Sequence, residues 1–235
     1  SLSNALHGRI SSDGLNAKLR GFSLSASKMK NLDKINLVAC GTAYYASLIM
    51  VEYIRKYSKV PVEAFRASEF PSENTCSKNT LTIGITQSGE TKDTLDALME
   101  AKKCGSHISS ICNVIGSTIA RFTNNGAYLY AGSEFAVAST KAYTNMIAIG
   151  LLFALTISDI SENKKRKIVK SIRKLPNLIS SQLIIHDESI QLASKLIRDS
   201  KKVIFIGRGD LTSKLVQEGA LKMMEVSYIP CLAYP

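Results

Sequence analysis

Between the apolar run at residues 81–85 and a helix-patterned stretch at 92–103 lies Thr86-Gln87-Ser88-Gly89-Glu90-Thr91, rich in hydroxyl and amide groups. Those residue types in that place can cradle an oxyanion. The unpaired N–H groups and positive dipole end of a helix's first turn favour an anion by about 0.3–2 kcal/mol. Gly89 permits close backbone approach, and Ser88, Thr91 and Thr86 add hydroxyl donors. The same hexapeptide also spells an ordinary strand-to-helix turn with Ser88 as N-cap, and its composition alone does not choose.

Two further groupings carry possible chemistry. Ala131-Gly132-Ser133-Glu134 leads into Phe135-Ala136-Val137-Ala138-Ser139-Thr140-Lys141-Ala142, where small residues, two hydroxyls and a cation open a predicted helix. That composition suits a polyhydroxylated anion, but it equally describes a helix capped by Ser139 or Thr140 with Lys141 in solvent. Glu218, Lys222 and Glu225 are spaced by four and then three, so on a helix they share one stripe. Two carboxylates flanking an ammonium can move a proton between adjacent sugar carbons, one carboxylate as base and the ammonium steadying an enediol-like oxygen. The competing description is an exposed ladder contributing about 0.2–0.5 kcal/mol per pair.

These residues need a scaffold, and the apolar pattern supplies an α/β one. Short strands are predicted at 35–39, 60–65, 81–85, 108–112 and 127–130, alternating with helices at 42–57, 92–103, 117–123 and 139–157, with Gly105 closing the second helix. This is the pattern of a five-stranded parallel sheet covered by helices on both faces, with ligands expected at the carboxyl ends of the strands. The loop at 113–117 falls at the same end. The opening Leu37-Val38-Ala39-Cys40-Gly41-Thr42 is echoed by Val203-Ile204-Phe205-Ile206-Gly207-Arg208-Gly209-Asp210, each followed by a helix. The chain therefore divides into 1–160, a helical linker at 161–200 broken at Pro176 and restarted at Asp187, and a partial second copy at 201–235. One strand and one helix cannot bury an apolar face, so a longer protein is expected.

Composition narrows the function classes. The chain has 235 residues, 45% hydrophobic and 21% charged, as in a globular protein of one or two domains. The longest apolar run, at 146–157, is too short for a bilayer span and predicts a buried helix, so no membrane association is expected. Five cysteines without C-x-x-C pairing point to reduced thiols and a cytoplasmic setting. Three scattered histidines, His7, His107 and His186, give no metal site. The net charge of +11 invites a nucleic-acid partner. However, its densest run, Lys164-Lys165-Arg166-Lys167, lies opposite Ile168, Val169, Ile172 and Leu175 and has no interleaved aromatics, so no nucleic acid is expected. The positive field still helps to steer small anions.

Taken together, Cys40-Gly41-Thr42, the 86–91 hexapeptide, Val137-Ala138-Ser139-Thr140-Lys141-Ala142 and Glu218-Gly219-Ala220-Leu221-Lys222-Met223-Met224-Glu225 resemble, in order and spacing, the isomerase region of the glutamine–fructose-6-phosphate aminotransferase (glucosamine-6-phosphate synthase) family. The resemblance spans nearly the whole chain. It implies tandem flavodoxin-like, three-layer αβα sugar isomerase (SIS) domains, the first complete and the second only begun. It further implies that Thr86, Gln87, Ser88 and Thr91 hold the phosphate of fructose 6-phosphate and that Thr42, Val137 and Ser139 meet the sugar. Glu225 would move the proton between C1 and C2, supported by Lys222 and Glu218, with no cofactor. In this family a separate glutaminase domain releases the ammonia that aminates the ketose; that domain is not in this sequence and is expected in the full-length protein, as is a homodimer.

The sequence departs from the family pattern at Ala43 and Thr86, where serines are usual, and at Pro230 and Cys231. The family's ring-opening histidine and imine-forming lysine would fall beyond Pro235, so residues 1–235 are expected to bind but not to turn over. Competing readings are a non-catalytic phosphosugar sensor, a related sugar-phosphate isomerase or deglycase, and a nucleotide-binding protein using Gly207-Arg208-Gly209. The last lacks its third glycine, Thr212 standing there.

Overall fold

In the computed structural model, which describes residues 1–11, 13 and 16–234, two short helices, α1 (Leu2–Leu6) and α2 (Ala26–Lys30), precede a five-stranded parallel sheet. Its strands are β1 (Lys34–Ala39), β2 (Val62–Arg66), β3 (Thr80–Thr86), β4 (His107–Cys112) and β5 (Gly126–Tyr128), in the order β2-β1-β3-β4-β5. Every residue of β3 is buried, as a central strand covered on both faces requires. The connecting helices are α3 (Gly41–Tyr57), α4 (Ser72–Thr75), α5 (Lys92–Lys103) and α6 (Thr118–Thr123), and α7 (Lys141–Thr156) follows the last strand. On one face α3 and α7 pack together over Ile35, Leu37, Ile83 and Ile85, burying Met50, Ile54, Ile149 and Phe153. Their approach is close enough that a Cβ on Gly150 would lie 2.2 Å from Met50 Cγ. The opposite face is a smaller cluster of Val38, Ala67, Ala97, Leu98 and Ile119 under α5 and α6.

The order reverses between β1 and β3, which opens a crevice at the carboxyl ends of the strands. Ala39 pairs with Ile85, Thr86 with Cys112, and Cys112 with Tyr128, so the loops after β1, β3, β4 and β5 leave the sheet at one level. That register assembles the candidate site.

Beyond the sheet come α8 (Glu162–Ile172), α9 (Leu175–Ile185), α10 (Asp187–Ile197), β6 (Val203–Ile206), α11 (Thr212–Ser227) and β7 (Cys231–Tyr234). Val169 and Ile172 anchor α8 to the main core, whereas α9 and α10 bury no residue. β6 and β7 pair in parallel, and α11 packs on both and on α3.

Several expectations shift at their edges. The second strand starts at Val62, because Pro61 has no N–H and contributes only its carbonyl, to Ile35. The fifth strand stops at Tyr128, since Tyr130 has a left-handed φ of 50°. Pro176 lies in the first turn of α9, where its missing N–H costs nothing, so the break precedes it at Arg173 and Lys174. Asp187 is the first residue of α10, with His186 at the cap, and its side chain bonds Gln191. The strand β7 adds a third element to the expected strand and helix. Pro235, the last residue of the predicted 201–235 unit, lies outside the described residues.

Candidate active site

The turn after β3 is held by its own side chains. Thr86 is buried; its hydroxyl lies 2.8 Å from that of Thr91 and accepts the Gly89 N–H at 3.2 Å. Ser88 Oγ accepts the Glu90 N–H at 3.1 Å. The N-cap of α5 is Thr91 and not Ser88, and it caps without a side-chain hydrogen bond. Gly89 has a φ of 72°, and a Cβ there would lie 1.9 Å from Ser117 Oγ, so both conformation and space require glycine. The turn is also fastened from outside. The Glu90 carboxylate accepts the Thr118 N–H at 2.9 Å, and Thr118 followed by Arg121 holds its pKa below the ordinary value. The Gln87 carbonyl accepts the Asn113 N–H at 3.2 Å.

Above the turn is a cavity of about 160 Å³. Thr86, Gln87, Ser88 and Thr91 line it from one side, Cys40, Thr42 and Ala43 from the start of α3, and Ser139 and Met146 from the start of α7. Six of the seven predicted substrate-binding residues thus meet around one space. Val137 does not line it; at 92% exposure its side chain points to solvent. Gln87 also borders a neighbouring cavity of about 910 Å³ that is walled by Asn113, Ser133 and Glu134.

The predicted catalytic stripe lies on α11. Glu218 is only 4% exposed, which does not fit a solvent-exposed ladder, while Lys222 and Glu225 are half-buried. Lys222 Nζ is 3.6 Å from Glu218 Oε1 and hydrogen-bonds Glu225 Oε2. Among the described residues neither oxygen of Glu218 has a hydrogen-bond partner, and the same holds for the buried Tyr143 hydroxyl. Burial pushes the Glu218 carboxyl up to about 7 against the opposing pull of Lys222 and the Thr42 hydroxyl, and Glu225 pushes it further. Burial likewise raises the Tyr143 phenol, helped by the charges of Glu218 and Tyr53. An acid poised near neutrality can give or take a proton at physiological pH. None of the three stripe residues lines the 160 Å³ cavity, but Thr42 touches both sides, lining it and facing Glu218.

The sequence reading missed three contributors. Glu134 caps α7 from a distance: Oε1 accepts the N–H groups of Thr140 at 3.2 Å and Ala142 at 2.8 Å, and the Ser139 hydroxyl at 3.4 Å. Thr140 is the N-cap residue but makes no side-chain cap bond. Asn145, fully buried, ties α7 to the Leu129 carbonyl at 3.0 Å. Tyr143 brings its phenol toward Glu218 from 75 residues away in the chain, which no local spacing announces. Among the described residues, no group of three or more His, Cys, Asp or Glu side chains could hold a metal ion, and no helix is long and apolar enough to cross a membrane.

With this geometry in view, comparisons with known proteins give the lineage. Glutamine–fructose-6-phosphate aminotransferase [isomerizing] of Caldanaerobacter subterraneus subsp. tengcongensis is 40% identical over 239 residues, covering 100% of this chain and 39% of that protein. The Clostridium acetobutylicum protein of the same name is 40% identical over 222 residues, covering 92% of this chain and 36% of its own length. The C-terminal domain of glucosamine-fructose-6-phosphate aminotransferase from Francisella tularensis superposes with a TM-score of 0.89 at 33% identity, over 100% of this chain and 66% of that one. The chain thus spans about two fifths of the curated relatives it matches. The profile of the SIS domain matches residues 28–156, which hold the five-stranded sheet and α7, and the chain belongs to the SIS domain family.

Proposed function

We propose that these residues form the phosphosugar-binding isomerase region of an enzyme that makes glucosamine 6-phosphate from fructose 6-phosphate and glutamine. Residues 1–160 are read as a first SIS domain, 161–200 as a helical linker and 201–235 as the start of a second. The phosphate rests on the Ser88 and Thr91 hydroxyls and the Gln87 side chain, with Thr42 and Ser139 facing the sugar. Thr86, whose hydroxyl is already shared between Gly89 and Thr91, shapes the turn more than it grips the anion. Glu225 moves the proton between C1 and C2. Lys222, paired with it, steadies the developing oxyanion, and Glu218 supports both.

The observation that carries this reading is the buried Glu218 carboxylate, close to Lys222 and facing Thr42, because it joins the stripe on α11 to the cradle after β3. A phosphosugar sensor has no use for a carboxyl poised near neutrality beside its ligand. The whole reaction draws on more than this stretch. On this reading the imine-forming lysine and ring-opening histidine are supplied from outside residues 1–235, and ammonia comes from a glutaminase domain of the same protein. We further propose a homodimer working in the reducing cytoplasm, where the five free thiols persist.

Calorimetric titration of residues 1–235 with fructose 6-phosphate tests the binding half, with saturable binding expected. An assay of the same polypeptide with fructose 6-phosphate and free ammonia is expected to yield no glucosamine 6-phosphate. Absence of binding, or appreciable product, contradicts the proposal.

A further inference from the structure

We propose that Asn113 and Glu134 are positioning residues that clasp residues 131–140 to the phosphate cradle, setting the distance between the groups that hold phosphate and those that meet the sugar. The inference rests on the phosphosugar reading above and adds to it two residues that do not line the 160 Å³ cavity.

The clasp is two sets of hydrogen bonds, one at each end of the segment and joined through its backbone. It starts at the cradle, where the Asn113 N–H donates to the Gln87 carbonyl at 3.2 Å. The Asn113 side chain then holds one dipeptide at both ends: Oδ1 accepts the Ala131 N–H at 2.8 Å and Nδ2 donates to the Gly132 carbonyl at 2.8 Å. Reversing the amide would break both bonds, so its orientation is defined by its partners. Glu134 makes the second set, at the first turn of α7, with Ser139, Thr140 and Ala142, all on its single oxygen Oε1.

Two features indicate that this segment needs holding. Tyr130 and Gly132 have φ of 50° and 77°, and a left-handed tyrosine persists only where its surroundings determine it. Here the Arg9 guanidinium lies 5.1 Å from the Tyr130 ring on one side, and Asn113 grips Ala131 on the other. Between the buried Ala131 and Ala138 the segment has little packing, with Phe135 and Val137 almost wholly exposed. The clasp also sets the polarity of Ser139. With its proton directed to Glu134, the Ser139 oxygen offers lone pairs to a sugar hydroxyl.

Inorganic phosphate engages the cradle alone, whereas fructose 6-phosphate engages the cradle and the clasped segment, so the pair of ligands separates positioning from general damage. In Asn113→Ala and Glu134→Ala, fructose 6-phosphate binding measured by calorimetry is expected to weaken about ten-fold, with inorganic phosphate binding changed by less than about two-fold. Glu134→Gln, which keeps an acceptor at Oε1, is expected to restore most of the affinity. Unchanged fructose 6-phosphate affinity in both alanine variants overturns the proposal, as does a parallel loss for both ligands. Failure of the unsubstituted protein to bind fructose 6-phosphate is a distinct result: it removes the phosphosugar reading and the clasp with it.

Discussion

The turn after β3 and the stripe on α11 are both polar and both partly buried, yet they handle their polar groups in opposite ways. In the turn, the hydroxyls of Thr86 and Ser88, the Glu90 carboxylate and the Gly89 and Glu90 N–H groups all have partners within it or in the adjoining α6. On α11, Glu218 sits at low exposure with neither oxygen hydrogen-bonded among the described residues, and the buried hydroxyl of Tyr143, near it, likewise has no hydrogen-bond partner. A satisfied network is rigid and presents its remaining donors in one arrangement, which suits recognition of a fixed tetrahedral anion. A buried carboxyl held near neutrality can give up or take back a proton, which suits proton transfer. On the proposed reading, binding and chemistry are separated between the five-stranded unit and the helix that leans on it, with Thr42 lining the cavity and facing Glu218.

Substitutions can break each half of that contrast. The largest effect is expected at Gly89→Ala, where the new Cβ meets Ser117 Oγ at 1.9 Å and the backbone is left-handed. The turn must rearrange, and fructose 6-phosphate binding measured by calorimetry is expected to fall by about a hundred-fold or more. Next come Ser88→Ala and Thr91→Ala, each removing a hydroxyl donor to a charged ligand. Loss of about 1.5–3 kcal/mol, or roughly ten- to a hundred-fold in the same titration, is expected. Wild-type affinity in both variants would mean that the anion binds elsewhere.

The third prediction concerns α11 and pH. The Glu218 carboxyl lies at about 7 in the folded chain against an ordinary 4.5, so the native state holds its proton more tightly than the unfolded state. The stabilisation from keeping it neutral is therefore complete below the unfolded value and lost as pH rises through about 7. Glu218→Gln removes this dependence. Denaturant melts at about pH 5 and about pH 8 should show the variant gaining on wild type by on the order of 1–3 kcal/mol at the higher pH, and little at the lower. An equal difference at both pH values would show that Glu218 is already charged. The smallest effect is expected from Thr86→Ser, which keeps the shared hydroxyl and loses only a methyl group. Fructose 6-phosphate affinity should change by less than about three-fold, because the bonds to Gly89 and Thr91 remain.

The two regions also differed in how far the sequence disclosed them. The scaffold of the cradle was legible because an unbroken apolar run such as β3 has few alternatives to a buried parallel strand, and Gly89 after it marks a left-handed turn. The partners within the turn were less so. That the Thr86 hydroxyl closes on Thr91 and Gly89 while Thr86 lines the cavity depends on a turn closed across five residues. On α11 the stripe of Glu218, Lys222 and Glu225 followed from helical spacing, but the burial of Glu218 depends on α3, which packs against α11 from a distant part of the chain. Glu134 was hidden for a related reason: it stands six residues before the N-cap of α7, outside any local capping pattern. The strand β7 is only four residues long, and its pairing with β6 is set by contacts across α11 rather than by its composition.

The central claim is that the phosphate of a hexose phosphate sits on the turn that follows β3. A crystal structure of the protein soaked with fructose 6-phosphate tests it most directly. The account predicts phosphate oxygens within hydrogen-bonding distance of the Ser88 and Thr91 hydroxyls, with the sugar extending toward Thr42 and Ser139. A phosphate bound away from this turn, or a turn left empty at saturating ligand, would contradict it.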